Sequence, residues 1–582
     1  MRRNDPAMPE DPEQGNALAE LRHTAAHVLA YAVQELFPDA KPTIGPSIEN
    51  GFYYDFDRAE PFAPEDLVAI ERRMHEIVAA DLQMTGQKVT RDQAIQRFSA
   101  NPYKVELARG IPDGEPITLY TIGAFTDLCR GGHVRGTGAI RGLKLTSVAG
   151  AYWRGDERNP MLQRIYGTAW PTQGELDAYL HQVEEAQKRD HRKLGVELDL
   201  FSIQEDAGGG LVFWHPKGAI VRGIIEGFIR EGLRERGYQP VITPHVVSEK
   251  LYEISGHLDN FADGMFGPLE VEEQRFRLKP MNCPGHILIY KSHLHSYREL
   301  PIRYSEFGTV YRFERSGVLH GLTRVRGFTQ DDAHLFCMPE QLQGEFERTV
   351  EEALRLMQAF GFTDFEYVLS RRKPEDRVAT DAVAERAIRN ALERFDLPYG
   401  VDEGGGAFYG PKLDINVRDA IGRKWQLGTV QVDFVLPQRF DLTYRGSDGD
   451  HVPVMIHRAL AGSMERFFGI LIEHFGGAFP AWLAPIQAVV APISEHQAEY
   501  AERVASTLRA DGFRIELDAS NEKLGYKVRH WRMQKVPYVL VVGKQEAADG
   551  TVNVNERGID EKRTVATADF ARELGQKVAS KA

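Results

Sequence analysis

Apolar residues recur at helical spacing in three stretches of the chain. In LRHTAAHVLA, residues 21–30, Leu21, Ala25, Val28 and Leu29 fall three and four apart, which predicts a helix. Thr172 and Glu175 form a capping box ahead of Leu176, Tyr179, Leu180, Val183 and Ala186, predicting a connecting helix over 171–195. In GAIVRGIIEGFIREGLRERGYQPVITP, from residue 218, Ile220, Ile224, Phe228 and Ile229 make an apolar stripe. Gly237 is a natural stop there, and YQPVITP has the pattern of a strand.

Elsewhere the periodicity is that of short strands and turns. IPDGEPITLY and TGAIRGLKLTSVAG suggest a compact α+β domain over 23–170. After residue 485, IQAVVAPI, EYAERVASTLRADG, FRIELD and VPYVLVVG alternate strand and helix patterns, as in a small α/β domain with a largely parallel sheet. The expected organisation is an α+β multidomain chain: a disordered tail over 1–22, a domain over 23–170, the connecting helix, a large unit over 196–484, and the small domain over 485–582. A chain of 582 residues is in any case too long for one core.

Composition narrows the class. The longest apolar stretch, residues 476–493, is cut by Pro480, Pro485 and Pro492, so no membrane span is expected. The tail is rich in proline and acid and has no apolar signal region, which makes the cytoplasm the expected compartment. Three cysteines are too few for a disulfide framework and suit reduced thiols. The net charge of −13 argues against a nucleic-acid partner, but residues 485–582 hold 15 basic against 14 acidic side chains and stand apart from the acidic remainder.

Candidate chemistry gathers in five places. His23 and His27 lie one helical turn apart, and DLCRGGH supplies Cys129 and His133, again four apart; the four suit either a zinc site or a hydrolytic pocket. Residues 303–337 collect Arg312, Arg315, Arg324 and Arg326 with Glu306, Glu314, Asp331 and Asp332, either a polyphosphate seat or a strand pair laced with ion pairs. VPVMIHRALAGSMERFFGIL carries Glu465 and Arg466 in an apolar helix, and LKPMNCPGH holds Cys283 and His286 in a proline-bounded turn. NEKLGYKVRHWRMQK interleaves Lys523, Lys527, Arg529, Arg532 and Lys535 with Tyr526 and Trp531, which suits a single-stranded RNA loop or a solvated helix face.

Arg312-x-Glu314, SGVLHGLTRVRGFTQDDAHLFC, LKPMNCPGH, AFYGPK and HRALAGSMERF together resemble the class II aminoacyl-tRNA synthetases, specifically the threonyl enzymes, from about residue 21 to the C-terminus. The resemblance implies an editing domain at 23–170, an antiparallel catalytic sheet at 196–484 and an anticodon-binding domain at 485–582. It implies ATP-dependent ligation of L-threonine to tRNA(Thr), hydrolysis of mischarged seryl-tRNA(Thr), and a homodimer built through the segment ending near Pro244.

Residue by residue, the resemblance assigns Arg312, Glu314, Arg324, Phe328, Gln426 and Arg466 to ATP with Mg2+. Met281, Gln330, Asp332, Tyr409 and Gln431 fall to threonine, and His257 to the tRNA 3′ end. Cys283, His334 and His457 are assigned one Zn2+. His23, His27, Tyr54, Lys104, Asp127, Cys129 and His133 form a metal-free editing pocket, and Asn521, Arg529 and Glu546 face the anticodon. Asn555 stands where relatives commonly have Arg, and with only 22 residues ahead of His23 the family's ubiquitin-like N-terminal domain is expected to be absent. A non-aminoacylating RNA-binding paralogue is the alternative, although such a paralogue is expected to lose Arg312, Arg466 or the metal ligands.

Overall fold

The computed structural model describes residues 17–581, and they divide into two compact units at Glu184/Glu185. The tail expected over 1–22 lies outside the described residues as far as 16; from Ala17 onward the chain is already helical. No helix among the described residues is long and apolar enough to cross a membrane.

The first unit is built on the helix Ala17–Leu36. Its alanines let it lie close against a sheet ordered Lys41–Pro42, Gly51–Asp57, Met161–Trp170 and Gly142–Tyr152, with antiparallel neighbours. Leu21, Ala25, Val28 and Leu29 are buried there with Phe52, Phe56 and Ile165, so the predicted helical face is the core face. A second antiparallel sheet, Met84–Val89, Ile117–Ile122 and Phe125–Leu128, delivers the chain to Cys129. Asn101 caps the helix Pro102–Gly110 by accepting the Tyr103 and Lys104 N–H groups, and that turn carries the Lys104 side chain into the interior.

The connecting segment is two helices, Gln173–Arg189 and His191–Glu197, the second capped by Asp190. The division between the units falls inside the first of them.

The second unit holds an eight-stranded sheet. Its order is Gln239–Pro240, Ile302–Tyr311, Gly327–Cys337, Val454–Ser463, Lys424–Asp433, Lys412–Arg418, Phe365–Arg371 and Tyr399–Glu403. Only the outermost pair on each edge is parallel. Helices Pro216–Glu235, Leu342–Ala359 and Met464–Phe475 cover one face through Val221, Ile225, Phe346, Val350, Phe467 and Leu471.

The stripe on Pro216–Glu235 holds in part: Ile229 is buried as expected and Ile224 and Phe228 pack half-buried against the core, but the fully buried row is a neighbouring one. Val221, Ile225, Ile229 and Leu233 are buried, whereas Ile220 is 42% exposed. Both flanking rows are apolar, so spacing alone does not select the inward one.

The C-terminal residues form a five-stranded sheet ordered Ile515–Leu517, Ala488–Pro492, Tyr538–Val542, Thr551–Glu556 and Arg563–Ala566. Its first three strands are parallel and the last two antiparallel. Two of the side chains read as RNA-facing turn inward. Lys527 is buried and donates to the carbonyls of Pro492 and Asp518, while Trp531 donates to Asp518 and packs near Val489 and Val536. Tyr526 stays 58% exposed.

Candidate functional site

Alternation along Gly327–Cys337 decides which side chains meet. Gln330, Asp332 and His334 face away from the helices, while Asp331, Ala333 and Leu335 point toward them. Strand register sets His334 directly opposite His457, and His457 opposite Gln431. Residues 123 positions apart in sequence, His334 and His457, are thereby neighbours.

Cys283, at the start of the helix Cys283–Lys291, brings its thiol to the same point, and the ligand atoms of Cys283, His334 and His457 lie within 4.8 Å of one another. All three residues are buried. Burial pushes the Cys283 thiol well above its ordinary range, and burial followed by the neighbouring histidines pushes His334 well below. His457 Nε2 is 2.8 Å from Asp433 Oδ2, and the other Asp433 oxygen accepts the N–H groups of Val435 and Leu436, so His457 Nδ1 is left for the centre. A buried thiol beside two imidazoles is a soft-to-borderline donor set that suits a tetrahedral ion with a position left open.

Around this point lies a cavity of about 410 Å³ lined by Met281, Gln330, Asp332, Tyr409, Gln431 and Arg312 among others. Tyr409 donates to Gln431 Oε1 at 2.5 Å, and its ring stacks on His457 with centroids 4.9 Å apart. Asp332 Oδ2 accepts from Asn282 at 3.0 Å, and its other oxygen lies 3.8 Å from His334 Nε2. His257 is buried against Met281, its Nε2 2.9 Å from Sδ and 3.9 Å from Cys283 Sγ. Burial, followed by His457 and Arg312, lowers its pKa to about 4, which keeps the imidazole neutral at pH 7.

Beyond the cavity, Arg312 lies over the rings of Phe328 and Phe261, 5.1 and 5.5 Å from their centroids. Glu314 pairs with the exposed Arg324 at 3.2 Å. Gln426 donates to Asp414. Arg466 is held in the first turn of Met464–Phe475, where Ser463 caps the helix by accepting its N–H, yet its buried Nε has no partner. Burial, then repulsion from Arg324, lowers the Arg466 pKa. Glu465, by contrast, is structural, accepting the Thr329 N–H and pairing with Arg222.

Beneath the cleft, buried Asp331 accepts the N–H groups of Leu460, Ala461 and Gly462 and meets Arg458. Gly462 has φ +73, and a Cβ there would sit 2.8 Å from the Leu427 carbonyl, so this turn requires glycine. Asp331→Ala strands the buried Arg458, and urea denaturation is expected to show a loss of about 3–5 kcal/mol.

In the first unit a separate pocket of about 220 Å³ is lined by His23, His27, Lys104, Asp127 and Cys129. Gly131 and Gly132, at φ +111 and +77, make the turn that returns His133 toward Cys129. His23 Nδ1 donates to the Gly132 carbonyl at 3.2 Å, and its Nε2 is 3.5 Å from Cys129 Sγ. His133 Nδ1 is 3.3 Å from Thr24 Oγ1, and its Nε2 is 3.1 Å from the same sulfur. Thr24 gives its own proton to the Glu20 carbonyl, so His133 is the donor in that pair. Both imidazoles therefore turn Nε2 toward the thiol. Opposite them, Asp127 is bound by Lys104 and by the Tyr54 hydroxyl at 2.5 Å. Burial, then Asp127, raises Tyr54 well above its ordinary pKa, and burial, then His23 and Lys104, pushes buried His27 well below its own.

Of the C-terminal positions, Arg529, Glu546 and Asn555 line one cleft, while exposed Asn521 is not among its lining residues. Glu546 accepts the Gly543 N–H, and Asn555 is buried with Oδ1 unpartnered. Lys412, in the cavity wall, and Asp433, behind His457, were not singled out from the sequence. For Lys412 the signal was its place in AFYGPK; Asp433 had none, since only strand register brings it to His457.

Three family models match the chain. They are the tRNA synthetase class II core domain (G, H, P, S and T) over 268–475, the anticodon binding domain over 487–577, and the threonyl and alanyl tRNA synthetase second additional domain over 117–166. A threonine–tRNA ligase of Magnetococcus marinus is 54% identical across 98% of this chain and 89% of its own. One from Acidithiobacillus ferrooxidans is 57% identical across 94% and 85%. The solved RNA binding domain of threonyl-tRNA synthetase from Cryptosporidium parvum superposes with TM-score 0.64 at 40% identity, covering 66% of this chain and 98% of that one. Such identity, sustained across nearly the whole length and through core, anticodon and additional domains, places the chain in the threonine–tRNA ligase family of class II aminoacyl-tRNA synthetases.

Proposed function

We propose that this chain activates L-threonine in the cleft of the second unit, passes it to the 3′ end of tRNA(Thr), and clears seryl-tRNA(Thr) in the Cys129 pocket. The observation that carries the ligase half is the convergence of Cys283, His334 and His457 in the same cavity as Arg312. Cys283, His334 and His457 would hold Zn2+. When bound, that ion supplies a Lewis-acid attachment for the amino and hydroxyl groups of threonine, which valine, of nearly the same shape, cannot use.

The remaining roles belong to the chain's own side chains. Asp332 accepts a hydrogen bond from the substrate hydroxyl, while Met281, Gln330, Tyr409 and Gln431 enclose the amino acid. Phe328 offers a face to adenine and Glu314 an acceptor to its amino group, with Gln426 on the nucleotide side. Arg312 meets the α-phosphate, and Arg324 and Arg466 meet the outer phosphates of ATP bound with Mg2+. A threonine carboxylate oxygen forms a bond to the α-phosphorus as the bond to pyrophosphate breaks, and the fixed guanidiniums balance the charge that develops there. The terminal ribose hydroxyl then attacks the acyl carbon and AMP departs; His257 is assigned to the neighbourhood of that ribose.

Serine passes a test based on amine and hydroxyl, and the missing methyl is worth only about 1–3 kcal/mol, or 10–200-fold. A second, hydrolytic sieve is therefore required, and the Cys129 pocket is assigned to it. Arg529, Glu546 and Asn521 are assigned to the anticodon. Ile220, 42% exposed, and Ile242, 89% exposed, are assigned to a homodimer contact, and the cytoplasm to the chain's location.

Arg466→Ala is expected to lower threonine-dependent exchange of pyrophosphate into ATP by about 10²–10³-fold, with the KM for ATP raised. Unchanged exchange would contradict the nucleotide assignment.

A further inference from the structure

Two imidazoles meet the thiol of Cys283, and each must turn a bare nitrogen toward it. For His457 the means is the Asp433 carboxylate. His334 has no carboxylate behind it. Its Nδ1 instead lies 2.9 Å from Nδ1 of His286, with the two rings edge to face and 4.6 Å apart.

His286 is fully buried, and its Nε2 lies 3.1 Å from Glu306 Oε2. Glu306 accepts everything around it: the Thr243 N–H at 2.9 Å, the Thr243 hydroxyl at 2.9 Å and Lys279 Nζ at 3.2 Å. Lys279 also donates to Thr243 Oγ1 at 2.8 Å, so the threonine proton is committed to Glu306. Burial alone would raise the Glu306 carboxyl, but His286, the Thr243 N–H and Lys279 outweigh it and hold the group down at about 2.

The ionised Glu306 carboxylate only accepts, so His286 Nε2 carries the hydrogen between them. In that tautomer Nδ1 of His286 is an acceptor turned to His334. His334 Nδ1 must then donate to it, and His334 Nε2, 3.8 Å from Asp332, is the bare atom facing the cavity. Cys283 and His286 sit three apart on one helix, so the turn that presents the thiol also presents the relay.

We propose that His286 is a positioning residue that fixes the ring and tautomer of His334, itself anchored by Glu306, Lys279 and Thr243. This rests on the reading of Cys283, His334 and His457 as a metal site. Outer partners of a ligating histidine set its orientation and basicity, and their loss weakens metal binding by about 10–100-fold.

The test titrates zinc in the full-length protein against a chromophoric chelator, comparing wild type with His286→Leu and His286→Gln. His286→Leu is expected to weaken zinc by about 10–100-fold and to raise the KM for threonine but not for ATP. His286→Gln offers one acceptor and one donor in the same sense and is expected to recover most of that affinity. Melting of the metal-free proteins separates this from packing. Zinc affinity in His286→Leu within about twofold of wild type, or equal losses in both variants that track their metal-free stability, overturns the proposal. Wild type that holds no zinc overturns the metal-site reading, and the relay with it.

Discussion

Cys283→Ala is expected to abolish threonine activation while leaving the Cys129 pocket at work. The thiol is the only donor of the three that becomes an anion, and two neutral imidazoles hold a divalent cation poorly without it. Only a sulfur is removed from a small buried side chain, so folding is expected to survive. The loss falls on the amino acid, because a site that demands a hydroxyl owes its selectivity to the group that makes the demand. Threonine kcat/KM in pyrophosphate exchange is expected to fall on the order of 10³-fold or more, bound zinc to disappear, and hydrolysis of supplied seryl-tRNA to stay at the wild-type rate. Stripping wild type with a chelator is expected to reproduce the defect and added zinc to reverse it. Full exchange in a zinc-free Cys283→Ala protein would refute the assignment.

Changes in the other pocket are expected to do the reverse. In His23→Ala or Cys129→Ala, threonine activation is expected to remain intact while deacylation of seryl-tRNA falls by about 10²-fold or more, so that mischarged product accumulates. The reason is geometric: Cys129 lies between the Nε2 atoms of His23 and His133, and either change removes one wall of the space where an ester and a water are to be held. Equal deacylation in both variants and wild type would contradict the editing assignment. Because the ligand atoms of His23, His27, Cys129 and His133 also lie within 4.8 Å of one another, metal analysis belongs beside the kinetics. Two equivalents of zinc per chain would turn that pocket into a metal site; one equivalent matches the reading given.

The two sites differed in how far the chain announced them. HTAAH and CRGGH are local: each pair is four residues apart, and a loop with two glycines in the left-handed region closes the cluster. Cys283, His334 and His457 meet only because the register of a sheet with long connections sets His334 opposite His457, which periodicity does not encode. The resemblance to known synthetases, not the spacing, named that trio.

Gln330, Asp332 and His334 share a face through strand alternation, but the resemblance, not that pattern, named them. Where a segment is apolar on two rows, as at Ile220 and Val221, or amphipathic with long stems, as at Lys527 and Trp531, the buried side was decided by tertiary packing. Asp433, His286 and Glu306 support the site from behind, and their roles appear only once hydrogen-bond partners are known.

The most direct test of the whole account measures pyrophosphate exchange by zinc-loaded wild type with threonine, serine and valine in parallel. Exchange is predicted with threonine, with serine about 10–200-fold below it, and none above background with valine. Valine exchanging as well as serine, or no exchange with threonine, would contradict it.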